Sequence, residues 1–383
     1  MQKIEKAITE KKGHFNTPCY LYDVETVMDN YGDLKKRLGT ALILSVKANS
    51  NFELIDRIRH TVDGMEVASL NELKIVQHPN TDLYVYSPAY THHFINAAIA
   101  VKATVVLDNP MQLPIIGNST KKTSMKPLVI RLNSRVLRNF IEVSGSIPEN
   151  HFGMDLADVL ETVDRIKAMG LSLGGLHIFH GSYQFKNMSM KTVRAVADLI
   201  KTIEERYNGE ISFINLGGGF SDEWRSEDLD FKSYREELSK IPARIKIAHE
   251  SGRGVFATAG FYIVSVIGVK SLGGRPYVIC DGGLSHNFLL AQTERPFRKK
   301  YRIPRIWRDG GFIDTTMSGT PGNGAICVGP SCSRDDVFSI LPADSPCPQE
   351  GDLLVFTNCG AYNFSYSVSR FLSLHPAEEY LIA

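Results

Sequence analysis

A chain of 383 residues with 43 basic and 42 acidic side chains and a net charge of +1 offers neither the basic stripe of a nucleic-acid binder nor a membrane-attracting cluster. Its 43% hydrophobic and 22% charged content is that of an ordinary soluble protein. Its length exceeds what one hydrophobic core organises, so two structural units doing small-molecule chemistry are expected.

From the amino terminus, MQKIEKAITEKKGHF is charged throughout and lacks the apolar core of a secretion signal, and no later run approaches the ~20 apolar residues of a membrane span. The six cysteines (Cys19, Cys280, Cys327, Cys332, Cys347 and Cys359) show no CxxC spacing, which argues against a zinc site or a disulfide framework. A cytoplasmic protein with reduced thiols and no metal is expected. TPCYLYD then reads as an early strand. Eight β-rich runs follow: ALILSV, GMEVAS, LYVYSP, ATVVLD, PLVIRLN, GGLHIF, SFINLGGG and IKIAHESG. Segments with helical spacing separate them, such as DLADVLETVDRIKAMG and MKTVRAVADLIKTIEERYNG, the latter closing on Asn-Gly. Strands alternating with helices pair in parallel, and eight units predict a (β/α)8 TIM barrel over residues 25–255. After residue 255, FYIVSVIGV, PYVICDG, GAICVG, DVFSIL and DLLVFTNCG alternate with turns, which predicts an all-β unit made of residues 1–24 and 256–383. TPCYLYD precedes the barrel and is expected to pair with that unit.

Each barrel run is apolar but ends in polar or glycine residues. These ends carry Lys47 and Asn49, Glu66 and Ser69, Ser87, Asp108, Arg131 and Asn133, His177, His180, Gly181 and Ser182, Gly217 to Gly219, and Glu250 with Arg253. Strand ends of this kind surround one mouth, where barrel active sites sit. A lysine there is either a solvated strand end or, desolvated beside other cations, a nucleophile that forms a Schiff base with an aldehyde, of which pyridoxal phosphate is the commonest. The cofactor makes further demands. Its phosphate needs closely approached backbone N–H groups, which NLGGGF and the following ESGRG, with Gly252 and Arg253, can supply. Its ring nitrogen needs a carboxylate: Glu250 is either that group or an ordinary ion-pair partner of His249 or Arg131. Its ring needs an apolar face, from Phe179 or His180.

Taken together the motifs resemble the alanine-racemase-fold (fold-type III) pyridoxal-phosphate decarboxylases, the group of ornithine, arginine and diaminopimelate decarboxylases. SVKAN, MEVASLNEL, GLHIFHGS, NLGGGF, ESGRG, GPSC and GAYNFS occur in that family's order over nearly the whole chain. The resemblance implies that Lys47 holds pyridoxal 5'-phosphate covalently and that Glu250 pairs with its ring nitrogen. Ser182, Gly217, Gly218, Gly219, Gly252, Arg253 and Tyr362 would surround its phosphate, with Glu66, Arg131, His177, Phe179 and His180 completing the cofactor site. It further implies that Cys332 protonates the substrate carbon after carbon dioxide leaves, and that Cys332 comes from the partner subunit of a head-to-tail homodimer with shared active sites.

Departures narrow the substrate. The family's ring-stacking histidine falls on Phe179, and EPGR is ESGR here. Relatives acting on basic amino acids carry Asp or Glu directly after the cysteine, where this chain has Ser333; an unpaired buried cation is costly, so free ornithine or lysine fits poorly unless Asp335 or Asp336 substitutes. CDGGLSHNFLL, with His286, the basic ERPFRKKYRIP and the ending FLSLHPAEEYL look more like the siderophore and antibiotic branch. There Arg295, Arg298, Lys299 and Arg302 either read substrate carboxylates or form a solvated loop. The expected function is α-decarboxylation of an amino acid or amino-acid conjugate in specialised metabolism. The alternatives are a racemase or epimerase on the same fold, a decarboxylase of ornithine, lysine or diaminopimelate, or a non-catalytic cofactor carrier.

Overall fold

The computed structural model describes residues 2–10, 15–76, 81–119, 124–142, 149–291, 301–313 and 321–382. The chain divides into two compact units, one of residues 28–255 and one of residues 1–27 with 256–383.

The first unit is a closed barrel of eight parallel strands in chain order. With β1 taken as Cys19–Asp23 of the other unit, the barrel strands are β2 (Ala41–Ser45), β3 (Gly64–Val67), β4 (Asp82–Tyr86), β5 (Thr104–Leu107), β6 (Leu128–Leu132), β7 (Leu173–Ile178), β8 (Phe213–Asn215) and β9 (Lys246–Ser251). All eight apolar runs therefore form strands, and β9 closes on β2 with Ile43 beside Glu250. Side chains alternate along a strand, so every second residue enters the barrel. Ile43, Tyr84, Val106, Val129 and Ala248 fill the interior together with Phe213, and two residues further along the same strands come Tyr86, Arg131, Asn215 and Glu250. An apolar plug thus carries a polar layer at the strand ends, which places the chemistry.

Helices cover the outside. Those expected from DLADVLETVDRIKAMG and MKTVRAVADLIKTIEERYNG run over Leu156–Ala168 and Phe185–Tyr207. The second buries Met188, Thr192, Val196, Leu199 and Ile203, spaced by three and four residues, and ends at Asn208 in the left-handed region (φ 54°). It starts five residues before the expected segment, where Phe185 stacks on Phe220 beside the glycine loop.

The second unit is a nine-stranded sheet. Its strands after β1 are β10 (Gly260–Leu272), β11 (Arg275–Cys280), β12 (Arg305–Arg308), β13 (Gly311–Phe312), β14 (Pro321–Val328), β15 (Val337–Pro342), β16 (Leu353–Phe356) and β17 (Glu378–Ile382). TPCYLYD supplies β1, paired antiparallel with β10 and parallel with β17. A helix over Gln2–Glu10 lays Ile4, Ala7 and Ile8 against Cys19, Leu21, Ile263, Trp307 and Val355.

Candidate active site

The polar layer of the barrel is one connected constellation. Lys47 leaves a single helical turn after β2 and forms an ion pair with Glu66 of β3, which is almost fully buried while the lysine is half exposed. Asn215 of β8 donates from Nδ2 to Glu250 Oε1 (2.7 Å) and to the Tyr86 hydroxyl (2.8 Å), and its Oδ1 accepts from the Gly217 N–H (2.9 Å). His177 of β7 brings Nε2 to 3.3 Å from Glu250 Oε1, at an angle that leaves neither ring nitrogen with a well-formed hydrogen bond, and its ring meets Tyr86 edge-on at 4.7 Å. On β6, Arg131 pairs with Asp108 at 3.0 Å and covers the Phe152 ring at 4.6 Å.

Two carboxylates thus share one dry interior, and their proton affinities move apart. Burial and the neighbouring Glu250 charge push Glu66 up to about 7 against the pull of Lys47. Burial alone would also raise Glu250, but His177, Lys47 and the Tyr86 hydroxyl carry it well below the usual carboxylate range. Burial holds His177 below its ordinary value despite the pull of Glu250. Glu250 is kept ionised by His177 first, and after it by Lys47 and the Tyr86 hydroxyl.

The loop after β8 has the shape a phosphate needs. Gly217 and Gly219 adopt φ of 69° and 90°, and a Cβ on Gly217 would fall 2.6 Å from the Ile178 carbonyl oxygen, one on Gly219 2.6 Å from that of Gly181. A Cβ on Gly218 would overlap the carbonyl oxygen of Glu250. The loop is therefore pressed on the ends of β7 and β9 with no room for side chains, and what it can offer a ligand is backbone N–H beyond that of Gly217, which Asn215 accepts. At the end of β9, Gly252 packs where a Cβ would come within 2.6 Å of Ala48, next to Lys47. These cradles, the lysine at their side and an ionised Glu250 fit pyridoxal phosphate. Lys47 would hold its aldehyde carbon, the glycine loop its phosphate, and Glu250 its ring nitrogen.

Phe179 lies beside this loop, its ring 3.1 Å from the Cβ position of Gly217. His180 turns instead into the packing beneath the helix Phe185–Tyr207, where Nδ1 lies 3.2 Å from Thr192 Oγ1. Ser182 is exposed after β7, and Arg253 covers the ring of the adjacent Tyr183 at 4.8 Å.

The remaining candidates belong to the other unit. Cys332 is exposed in the loop after β14. Buried Asp336 secures that loop by accepting from the backbone N–H groups of Leu284 (2.6 Å) and Ser331 (3.1 Å), which occupies its carboxylate. Ser333 accepts from the Asp335 N–H at 3.2 Å. His286 uses both ring nitrogens within its own unit, toward the Gly283 N–H (3.3 Å) and the His375 carbonyl (3.0 Å). Tyr362 has φ 68° and meets Tyr366 edge-on. Arg302 donates to the carbonyls of Thr357 and Asn358 at 2.9 and 2.6 Å, while Arg295, Arg298 and Lys299 lie outside the described residues.

Two buried histidines set an expectation for stability. His249 faces away from Glu250, between Thr40 (2.7 Å) and the Tyr234 hydroxyl (2.8 Å), and burial pushes it down to about 3. His180 is pushed by burial down to about 4. Both fall below their unfolded value near 6.5, so the unfolded chain binds more protons; their contribution is complete above pH 6.5 and is lost as pH falls toward 4. Glu66, shifted the other way, opposes this with a single group. At about 1.4 kcal/mol per unit, His180 contributes on the order of 3 kcal/mol. The unfolding midpoint of the cofactor-free protein is expected to fall from pH 6.5 to 5, and His180→Leu to flatten that slope; equal slopes would show that His180 titrates normally in the fold.

Residues 24–264, well over half of the chain, match the family described as pyridoxal-dependent decarboxylase, pyridoxal binding domain. The L-glutamyl-(BtrI acyl-carrier protein) decarboxylase of Niallia circulans is 29% identical over 96% of this chain and 89% of its own length. The 2-((L-alanin-3-ylcarbamoyl)methyl)-2-hydroxybutanedioate decarboxylase of Staphylococcus aureus is 24% identical over 100% of this chain and 98% of its own. Among solved structures, diaminopimelate decarboxylase from Helicobacter pylori complexed with L-lysine superposes with a TM-score of 0.81 at 21% identity, covering 98% of this chain and 93% of that one. Barrel, lysine, glycine cradle and family match agree, and the chain belongs to the pyridoxal-dependent decarboxylases, enzymes that work with pyridoxal 5'-phosphate.

Proposed function

We propose that this enzyme removes the α-carboxylate of an amino acid borne on a larger acidic or carrier-linked molecule, rather than that of a free basic amino acid. The observation that carries this reading is the loop after β14. Ser333 follows Cys332 where a carboxylate would be needed for a distal ammonium, and Asp336 is spent on two backbone N–H groups. A substrate cation there would find only Asp335, which is part-exposed and already beside Arg334 at 3.8 Å. The names of the Niallia and Staphylococcus relatives, one acting on a carrier-linked glutamyl group and the other on a citrate-like conjugate, support it. Diaminopimelate decarboxylases match over similar lengths and supply the competing substrate.

When bound, pyridoxal phosphate supplies an electron sink for the bonding pair released as carbon dioxide leaves. Lys47 would hold the cofactor, with Glu66 beside it placed to take or return the lysine proton. Glu250 would keep the ring nitrogen protonated. Cys332 delivers a proton to Cα, which yields an amine rather than a racemised acid. In this reading Cys332 reaches the barrel from the partner subunit of a head-to-tail homodimer in the cytoplasm, and no helix among the described residues is long and apolar enough to cross a membrane.

A carbon dioxide release screen tests the substrate class. Glutamyl-carrier and citrate-conjugated amino acids are expected to turn over at least about a hundredfold more efficiently than ornithine, lysine or diaminopimelate, the discrimination a missing charge partner provides. Efficient turnover of free ornithine or lysine would overturn it.

A further inference from the structure

The Glu250 carboxylate is held within the polar layer of the barrel, where Asn215 and Tyr86 reach it from β8 and β4. Asn215 is fully buried. Its amide could in principle face either way, but the Gly217 N–H fixes Oδ1, so the NH2 group must face Glu250 and Tyr86. The Tyr86 oxygen accepts one of those protons, which leaves its own O–H to turn toward the carboxylate. The contacts of Asn215 and His177 both fall on Oε1 of Glu250.

We propose that Asn215 and Tyr86 act as a two-residue clamp that orients Glu250 and keeps it ionised, while the same Asn215 amide ties that carboxylate to the glycine loop through the Gly217 N–H. Asn215 and Tyr86 are positioning residues: they act through Glu250. The charged and titratable groups facing Glu250 from the packed elements are Lys47 after β2, Glu66 on β3 and His177 on β7, with Arg131 on β6 the next cation along the layer. The clamp supplies a well-formed hydrogen bond at 2.7 Å where His177 Nε2, 3.3 Å from the same oxygen, makes none. The linkage to Gly217 also means that a shift of the loop on phosphate binding moves Glu250, so that the two ends of the cofactor are registered by one side chain.

The inference rests on Glu250 being the group that meets the ring nitrogen, and the experiment separates the two. Holoenzymes carrying Tyr86→Phe, Asn215→Ala, Glu250→Gln and each clamp variant combined with Glu250→Gln are compared for kcat, KM, the pH dependence of the visible cofactor absorption, and thermal unfolding without cofactor. Each clamp variant alone is expected to lower kcat by about tenfold or more with KM within about threefold, and to shift the pH transition of the cofactor band. In the Glu250→Gln background it is expected to cost less than about twofold, because residues acting through one group are not additive. Clamp variants that match the parent in kcat and in the band's pH profile while Glu250→Gln is impaired overturn the clamp. So do losses that multiply in full with that of Glu250→Gln, which would mark a structural role alone. An unimpaired Glu250→Gln enzyme overturns instead the assignment of Glu250 to the ring nitrogen.

Discussion

Lys47→Ala is expected to lose the visible absorption of the bound cofactor and at least about a thousandfold of carbon dioxide release, which is about 4 kcal/mol of barrier. The lysine is the only amine in the polar layer of the barrel among the described residues, and it stands between Glu66 and the packed Gly252. The loss is chemical rather than structural. The Lys47 side chain is 47% exposed, and an ion pair so wetted contributes little to folding. Without its cation, buried Glu66 simply holds a proton to higher pH. The cofactor-free variant is therefore expected to unfold within a few degrees of the parent. Mixing Lys47→Ala with Cys332→Ala then tests the shared dimer site: if Cys332 crosses to the partner's barrel, half of the reassorted dimers carry one intact site of two, and about a quarter of the parental activity returns. A mixture as inactive as its components would place both residues of a site in one chain. Retention of the absorption band and of activity in Lys47→Ala would remove the lysine from the reaction.

The barrel was legible because strands covered on both faces must be apolar runs, and each of the eight kept that signature up to a polar end. The same property hid the clamp. In a strand buried on both sides no alternation tells which residues point inward, so Tyr86 in LYVYSP looked like one more apolar wall residue. Asn215 passed as the neighbour of three glycines. Only the register, which sets Asn215 beside His177 and Ala248 and Glu250 beside Ile43, brings them together. The β12–β13 hairpin was missed although its turn, Asp309-Gly310 with φ of 51° and 88°, is the kind that Asp-Gly favours. His180 is the converse case: at a strand end it reads as a face for the cofactor ring, yet one residue of offset from Phe179 turns it under a helix.

Glu250→Gln carries the other large effect, a loss of about a hundredfold or more in kcat with cofactor still bound. The substitution keeps the shape of the side chain, and its carbonyl oxygen can still accept from Asn215. What disappears is the negative charge that would hold a proton on the ring nitrogen, worth several kcal/mol where Glu250 is buried. A merely structural acid would behave otherwise, since removing a buried, hydrogen-bonded carboxylate from its donors normally destabilises the fold. Here a compensating term exists. Glu66 is pushed up to about 7 by burial and by the Glu250 charge, so its ionisation costs stability as pH rises from its unfolded value near 4.5 through 7. Neutralising Glu250 lowers the Glu66 value and removes part of that cost, and the pH window in which the relief appears lies above about 5. The cofactor-free Glu250→Gln protein is therefore expected to unfold at pH 8 no lower than the parent, while its holoenzyme turns over substrate about a hundredfold more slowly. A variant that is both slow and strongly destabilised at pH 8 would show that the two carboxylates do not repel across the barrel, and that Glu250 serves the fold before it serves the cofactor.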